Sequence, residues 1–292
     1  MVAELNRLLT VKEILPSQPH HLEVHIGLNR SGHSFVHRQY ATYPFRVSRA
    51  LRLDPGDTDR TYLYMMNSSP GLLAGDALRL RVTLDQKTRL YLTDQSATKA
   101  HAMAEGQRAE MHYAFEVKAG AILEFIPEPL ILYRDADFSQ TTQITLDPTG
   151  SLVLSEILVP GRLARGEFYQ FHRYFNRMQV NTPDGELVFA DTMHLSGQQN
   201  RFAASPLFAM MPILANLIVI LPEVHLQSLS AALMAIPPKP ECSIALSRLP
   251  NCNGLVIRAM AKSVPILKTY IHHALITIRH LSNQPTLPEI PK

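Results

Sequence analysis

Apolar and polar residues alternate along most of the chain before about residue 200. Residues 82–92 read VTLDQKTRLYL and residues 144–154 read ITLDPTGSLVL, so the same strand, turn and strand are written twice. A third copy surrounds Val117-Lys118, and the copies recur at intervals of 33 and 29 residues. A fourth, looser copy is expected around the turn at residues 182–185. Each unit has an apolar face that a neighbour must cover, so the pattern predicts a mainly β fold, a helically coiled stack of strand-turn-strand repeats.

The pattern changes after about residue 200. A continuous apolar run predicts a buried strand over about residues 213–221. Apolar positions three or four residues apart predict helices over residues 223–235 and 263–281, on either side of a hairpin that turns at residues 251–254. The C-terminal region is therefore expected to be a small α+β part that carries two helices.

These patterns divide the chain into three segments, although a length of 292 residues is also compatible with one large β domain. The β-repeat stack is expected over residues 1–200. A strand-helix-hairpin-helix part over residues 201–282 is expected to pack on it. The last segment, residues 283–292, contains three prolines and is expected to be disordered.

The composition argues against several classes of protein. Hydrophobic residues make up 46% of the chain and charged residues 18%, which is typical of a globular protein. The net charge is only +3 and no run of five lysines or arginines occurs, so a nucleic-acid partner is not expected. The apolar stretch 206–222 is interrupted by Pro212 and Asn216, which indicates a strand and no membrane span. Residues 1–9 are too polar for a signal sequence, and a cytoplasmic location is expected.

Thirteen histidines and two cysteines raise the question of a metal site. Adjacent histidines occur at 20–21 and 272–273, but adjacent side chains point in different directions on a strand or a helix. No HExxH or CxxC motif occurs, so no tight, permanent metal site is expected. Cys242 and Cys252 are expected to be reduced thiols, although a disulfide is geometrically possible. No GxSxG nucleophile motif occurs, and the sequence does not indicate an enzyme.

Two turn-rich motifs contain polar residues that could act in a site. Residues 68–76 read SSPGLLAGD, where two glycines and Asp76 suit either a well-made turn or a close approach to a ligand. Residues 160–167 read PGRLARGE. There Arg162 and Arg165 could bind a carboxylate ligand or pair with Glu167 and Glu156, and a structural ion pair is the default interpretation.

Several polar residues share one strand face if the repeats stack in register, and we call this set the polar row. Its members are Tyr91, Thr93, Gln95, Glu124, Glu128 and Ser155, with Val153 beside them. On an exterior face they would form an ordinary solvated surface. On an interior face each glutamate would be costly unless paired or hydrated, which would favour a water-filled passage or a transient cation site. The expected ion-pair partners are Lys99, Arg162 and Arg165.

A family resemblance rests on several stretches taken together. They are SSPGLLAGD at 68–76, SATKAH at 96–101, LEFIPEPLI at 123–131, TLDPTGSLVLSEILVPGRLARGE at 145–167, and the C-terminal strand-helix-hairpin-helix region. As a set they resemble the urease accessory protein UreD, called UreH in some organisms, over about residues 20–280. One departure is at Leu72 and Ala74, where the family commonly has further glycines.

The resemblance implies a non-catalytic maturation factor with a mostly β, coiled fold and two C-terminal helices. Such a chaperone binds urease apoprotein and the accessory protein UreF, with UreG joining through UreF, and the assembly delivers nickel to urease. No permanently bound cofactor is expected, only Ni²⁺ in transit. Oxygen ligands suit such an ion because they hold it less tightly than thiolate or imidazole does.

An internal nickel route would give the polar positions a purpose. The expected passage residues are Asp76, Glu124, Glu128 and Glu167. The expected supporting polar or ion-pairing residues are Thr98, Lys99, Glu156 and Arg162. A second apolar stripe on the last helix is expected to contact UreF, and it consists of Ile266, Tyr270 and Ile276.

Two other functions are compatible with the sequence. A β-helical carbohydrate-active protein would need paired carboxylates and aromatic sugar platforms, but the chain has no Trp and only 7% aromatic residues. A bare structural adaptor would carry the polar row on its surface.

Overall fold

The computed structural model of the protein describes residues 19–56, 59–197, 204–237 and 241–291. Strands make up 46% and helices 14% of the described residues, so the predicted mainly β fold is confirmed. Residues 1–9, expected not to be a signal sequence, and the segment boundary at residue 200 lie outside the described residues. Over the described ranges, no helix combines the length and the apolarity needed to cross a bilayer.

The strands are bounded as follows, in chain order: β1 Leu22–Leu28, β2 Ser34–Ala41, β3 Phe45–Val47, β4 Arg60–Asn67, β5 Ala77–Leu84, β6 Arg89–Asp94, β7 Thr98–Ala100, β8 Ala109–Val117, β9 Ile122–Phe125, β10 Leu130–Leu132, β11 Asp137–Leu146, β12 Ser151–Val159, β13 Arg173–Asn181, β14 Leu187–Leu195, β15 Ile213–Ile220, β16 Cys242–Arg248 and β17 Gly254–Ala261. The helices are α1 Pro206–Met210, α2 Leu226–Met234 and α3 Val264–Leu281, and a 3-10 turn covers Leu163–Arg165.

The strands form two sheets. Sheet 1 has the order β14-β13-β11-β8-β5-β1-β2, and sheet 2 has the order β16-β17-β15-β12-β9-β6-β4-β3, with β10 joined to β12 and β7. The middle of sheet 1 is parallel from β1 to β13, and the middle of sheet 2 is parallel from β4 to β12. The strands added at the ends of these runs pair antiparallel, whereas β10 pairs parallel with both β12 and β7.

The predicted strand-turn-strand repeat is present, but the two strands of a unit do not pair with each other. β5 lies in sheet 1 and β6 in sheet 2, and β8–β9 and β11–β12 are divided in the same way. Each unit is therefore an arch. Stacked arches align Leu84 with Val117 and Val117 with Leu146, which is the register that the repeat predicts.

The predicted fourth copy is present as a strand, a turn and a strand, but it is a hairpin and not an arch. β13 and β14 pair antiparallel with each other inside sheet 1. Thr182 donates its backbone N–H to Glu186 at 2.9 Å, and Gly185 donates to Thr182 at 2.9 Å. This tight turn sends the chain back along β13 and not across to sheet 2, so the unit closes the edge of the stack as a hairpin.

The protein has three layers, which are sheet 1, sheet 2 and the helices α2 and α3. Alternate side chains of both sheets, such as Leu84, Phe115 and Leu123, fill a core between the sheets. The other face of sheet 2 packs on the helices through a second core that includes Val153 and Leu229. Sheet 2 is thus buried on both faces, which explains the continuous apolar run ILANLIVI in β15.

The C-terminal region extends the stack as well as covering it, because β15 pairs antiparallel with β12. The two predicted helices and the hairpin between them are present as α2, α3 and β16–β17. The expectation of a disordered tail is wrong for residues 283–291. Leu287 is buried, and the Tyr64 hydroxyl donates to the Pro291 carbonyl at 2.6 Å. Apolar side chains of the tail cover the gap between α3 and sheet 2, which orders it.

Candidate functional site

Most of the polar row is buried because α3 lies across the face of sheet 2 that carries it. Thr93, Glu124 and Ser155 are each 1% exposed and Tyr91 is 5% exposed, whereas Gln95 beyond the end of β6 is exposed. The solvated-surface interpretation is therefore wrong for the four buried residues. Tyr91 belongs to the second core, so the row faces α3 and not the space between the two sheets.

Glu124 lies in a buried charge network, formed by Asp54, Arg60, Tyr62, Glu124 and Arg279. Arg279 of α3 donates Nε to Glu124 Oε1 at 2.9 Å, and Arg60 of β4 places Nη1 3.1 Å from Oε2. Asp54 balances the two arginines, since its oxygens lie 3.4 Å from Arg60 Nε and 3.0 Å from Arg279 Nη1. The Tyr62 hydroxyl also donates to Asp54.

The buried charge network is electrically balanced, with two cations and two anions. Its side chains are at most 1% exposed. Burial alone would raise the pKa of Glu124, but the guanidinium groups of Arg60 and Arg279 outweigh burial and hold that pKa below its ordinary value. Burial would also lower the pKa of Arg279, and the Glu124 carboxylate raises it instead. Glu124 is thus committed to an ion pair that fastens α3 to β4 and β9.

Glu128, just beyond β9, pairs with Lys268 of α3, whose Nζ lies 2.5 Å from Oε2. Its backbone N–H donates to the Asp94 carboxylate at 3.3 Å. The sequence could not place Lys268 or Arg279 beside the glutamates, because the helix that covers this face comes from the far end of the chain. Arg60 is also distant in sequence and lies on β4. The prediction that Lys99, Arg162 and Arg165 pair with these two glutamates is therefore wrong.

A cavity of about 50 Å³, lined by both apolar and polar side chains, lies between the two sheets beside Glu156, and we call it the inner cavity. Its polar lining comprises Asp94, Thr98, Tyr113, Glu128, Gln140, Thr142, Glu156, Tyr174, Asn176 and Asn216. The fold brings together three of the residues expected from the sequence, Thr98, Glu128 and Glu156. The amides and Asp94 were missed. Asn176 occupies an inward position in the alternation of β13, between Tyr174 and Met178, and that signal could have found it.

Neutral amide donors surround the Glu156 carboxylate. Asn176 Nδ2 lies 2.9 Å and 3.0 Å from its two oxygens, Gln140 Nε2 lies 3.1 Å from Oε1, and Asn216 Nδ2 lies 3.4 Å from Oε2. Burial raises the pKa of Glu156, and the hydrogen bonds from Asn176 and Asn216 offset part of that rise. A buried carboxylate held by neutral donors keeps the capacity to take up a proton or a cation.

The loop over residues 68–76 is a well-made turn that lies against β7. Leu72 donates its N–H to the Lys99 carbonyl at 2.7 Å, and Asp76 Oδ2 accepts the N–H of Leu73 at 2.8 Å. Gly71 has a φ of +151°, and a Cβ there would lie 2.5 Å from the Lys99 carbonyl oxygen. The loop thus requires glycine at position 71, where its backbone lies close to the Lys99 carbonyl. The Asp76 carboxylate stabilises the turn within the loop itself.

Glu167 forms the structural ion pair that the motif at residues 160–167 suggested. Arg162 donates Nε to Glu167 Oε2 at 2.9 Å, and its Nη2 pairs with Oε1. The backbone N–H groups of Arg162 and Arg134 also donate to Oε2. These hydrogen bonds, led by the Arg162 side chain, lower the pKa of the Glu167 carboxyl to about 2. Arg162 also lies 4.4 Å from the centre of the Tyr133 ring.

Comparison with known proteins agrees with the motifs and with the fold. Residues 20–292 match the family model described as UreD urease accessory protein. The chain belongs to the UreD urease accessory protein family. It is 44% identical over 274 residues to the urease accessory protein UreD of Trichodesmium erythraeum (strain IMS101), covering 93% of this chain and 98% of that protein. It is 30% identical over 253 residues to UreD of Haloarcula marismortui, covering 87% of this chain and 83% of that protein.

The departure from the glycine pattern of UreD proteins has a packing consequence. Leu72 is fully buried and belongs to the core between the sheets, whereas Ala74 is exposed. The side chain of Leu72 therefore adds apolar burial to the loop at a position where glycine would add none.

The second stripe of α3 is not a free surface in this UreD-family protein. Tyr270 is 6% exposed, and Ile266 and Ile276 pack partly buried against the second core. The predicted contact of these three residues with UreF stays a prediction, although the second core covers most of Tyr270 and part of Ile266 and Ile276. The Tyr270 hydroxyl finds no hydrogen-bond partner among the described residues.

The described part of the chain holds no group of three or more His, Cys, Asp and Glu residues placed to bind a metal ion. Cys242 and Cys252 are free thiols, and burial raises the pKa of both.

Proposed function

We propose that this chain acts in urease maturation as a scaffold in the assembly that delivers nickel to urease apoprotein, together with UreF and, through UreF, UreG. Membership of the UreD family supports a role in urease maturation. The observation that carries the finer proposal is the inner cavity, where the Glu156 carboxylate is buried among neutral donors.

The inner cavity has the chemistry that a nickel ion in transit requires. Its oxygen atoms come from carboxylates, amides and hydroxyls, which bind Ni²⁺ weakly enough to let it leave. A volume of about 50 Å³ has room for a water molecule or an ion with part of its hydration. The Glu156 carboxylate accepts its hydrogen bonds from the neutral amides of Gln140, Asn176 and Asn216, whereas Glu124 and Glu167 are committed to arginines. We therefore propose that the nickel passage runs past Glu156 and Glu128.

The test is a charge removal that keeps the shape of the cavity. Glu156→Gln should leave the association with urease apoprotein and UreF intact and should lower, several-fold, the nickel content and activity of the urease recovered. Glu186→Gln is the matched control, because Glu186 is exposed in the turn between β13 and β14. The experiment combines a pull-down with metal analysis of the purified urease.

Two outcomes would count against the proposal. Normal nickel content with Glu156→Gln would exclude the inner cavity from the route and would favour a bare structural adaptor. Urease that matures equally well when this chain is omitted would remove the maturation role altogether.

A further inference from the structure

A second cavity lies between sheet 2 and α3, and we call it the helix-side cavity. It has a volume of about 350 Å³. Its lining includes Tyr91, Thr93, Ser155, Lys268, His272 and Leu287. The helix-side cavity and the inner cavity have three lining residues in common, Pro127, Glu128 and Ile157. The two cavities lie on opposite faces of sheet 2, and Glu128 lies where they meet.

The ammonium group of Lys268 covers the Glu128 carboxylate at this junction. The Glu128 side chain is 11% exposed and the Lys268 side chain is 44% exposed, so the lysine reaches the carboxylate from the solvent side. Lysine holds a compact charge on a flexible four-carbon stem, unlike the planar arginines of the buried charge network. Such an ion pair is the easier of the two kinds to open, because its cation can return to water.

We propose that Lys268 is a displaceable counter-cation, which occupies Glu128 until a divalent cation moving between the helix-side cavity and the inner cavity takes its place. This inference rests on the proposed function, since it concerns how nickel enters the route past Glu156. It assigns Lys268 a role in controlling entry, separate from any role in holding the fold.

Other groups in the helix-side cavity are placed to receive the incoming cation. The Ser155 hydroxyl is 1% exposed and finds no hydrogen-bond partner among the described residues, so it is an oxygen ligand that the protein itself leaves unused. His272 lies one helical turn after Lys268 and lines the same cavity. Its imidazole adds a nitrogen donor to the cavity beside the Ser155 hydroxyl.

The test measures the binding of Ni²⁺ alone to the purified full chain by isothermal titration. Lys268→Met keeps the apolar stem and removes the charge, so the ion no longer competes with a tethered ammonium. We expect this variant to bind Ni²⁺ about tenfold more tightly than the parent chain. Lys268→Arg, which keeps the charge, should bind no more tightly than the parent.

Two further variants locate the effect. Lys268→Met combined with Glu128→Gln should lose the gain, because the carboxylate that the lysine covers is then neutral. Lys262→Met is the matched control, since Lys262 pairs with Glu241 at 2.7 Å on the surface and both side chains are at least half exposed. It removes the same charge from the protein and should leave the affinity unchanged. Circular dichroism of each variant confirms that the fold is kept.

The inference is overturned if Lys268→Met binds Ni²⁺ no more tightly than the parent, or if Lys262→Met gives the same gain. A gain that persists with Glu128→Gln would also overturn it, because the lysine would then not act through that carboxylate. Failure of the proposed function has a different signature. The affinity gain would then be present while the Glu156→Gln variant still delivers nickel to urease normally.

Discussion

Removal of Arg279 should be among the most damaging single changes in this protein. In Arg279→Met the network keeps Asp54, Glu124 and Arg60, so one negative charge is left uncompensated in a site that is at most 1% exposed. Breaking a buried ion pair in this way costs about 3–5 kcal/mol, a large share of the roughly 5–15 kcal/mol that stabilises a typical domain. With an unfolding entropy of about 2.1 cal/mol/K per residue, that cost corresponds to a fall of about 5–8 °C in Tm for 292 residues.

The assay is urea unfolding followed by circular dichroism, with thermal unfolding alongside. Lys262→Met is again the control, and it should cost less than about 1 kcal/mol because its ion pair is exposed. Arg279→Met combined with Glu124→Gln should regain about 1–2 kcal/mol over the single variant, since Arg60 and Asp54 then balance each other. A loss below about 1 kcal/mol for Arg279→Met, or a double variant that simply adds the two losses, would refute the reasoning.

Two further predictions concern the pH dependence of stability. Folding raises the pKa of Glu156, so its buried charge destabilises the fold above that pKa, and this cost fades as the pH falls toward 4.5. In urea unfolding at pH 8, Glu156→Gln should therefore be at least as stable as the parent, and any advantage should be lost near pH 4.5. A clear destabilisation of Glu156→Gln at pH 8 would contradict this prediction. Glu167 behaves in the opposite way, because its pKa is lowered to about 2, so its contribution is complete above 4.5 and is lost as the pH falls through 2. Glu167→Gln should cost about 1–2 kcal/mol at pH 7, and thermal unfolding down to pH 3 should show that difference shrinking; a difference that grows in acid would show that the ion pair with Arg162 is not its source.

The repeat could be predicted in detail because it depends on local patterning. The positions of Leu84, Val117 and Leu146 in equivalent turns give the register directly, and parallel stacking is the arrangement in which every copy covers the next. The helical stripes of α2 and α3 are local signals of the same kind. The sequence did not show that the two strands of a unit belong to different sheets, because alternation is the same in an arch and in a hairpin.

The site was less predictable because its residues meet across long separations. Glu124 and Glu128 both pair with α3, but their partners Arg279 and Lys268 could not be predicted, because no local pattern specifies the position of α3 over sheet 2. The inner cavity depends on β15 pairing beside β12 in sheet 2 and on β13 of sheet 1 facing β12 across the core. Asn176 is polar at an inward-facing position of β13, and Asn216 is polar within the apolar run of β15. A polar residue at such a position is the sequence signal of a buried polar site.

The buried charge network also constrains the order in which the protein can be completed. Asp54 and Arg279 are 225 positions apart, yet their side chains are 3.0 Å apart in the folded chain. The arches can stack on one another during synthesis, whereas the network can close only after residue 279 has been added. Until then we expect Arg60 and Glu124 to be hydrated on the open face of sheet 2, so that the nascent chain exposes charged groups there as well as apolar ones. Packing of α3 removes that water, so α3 completes the buried charge network.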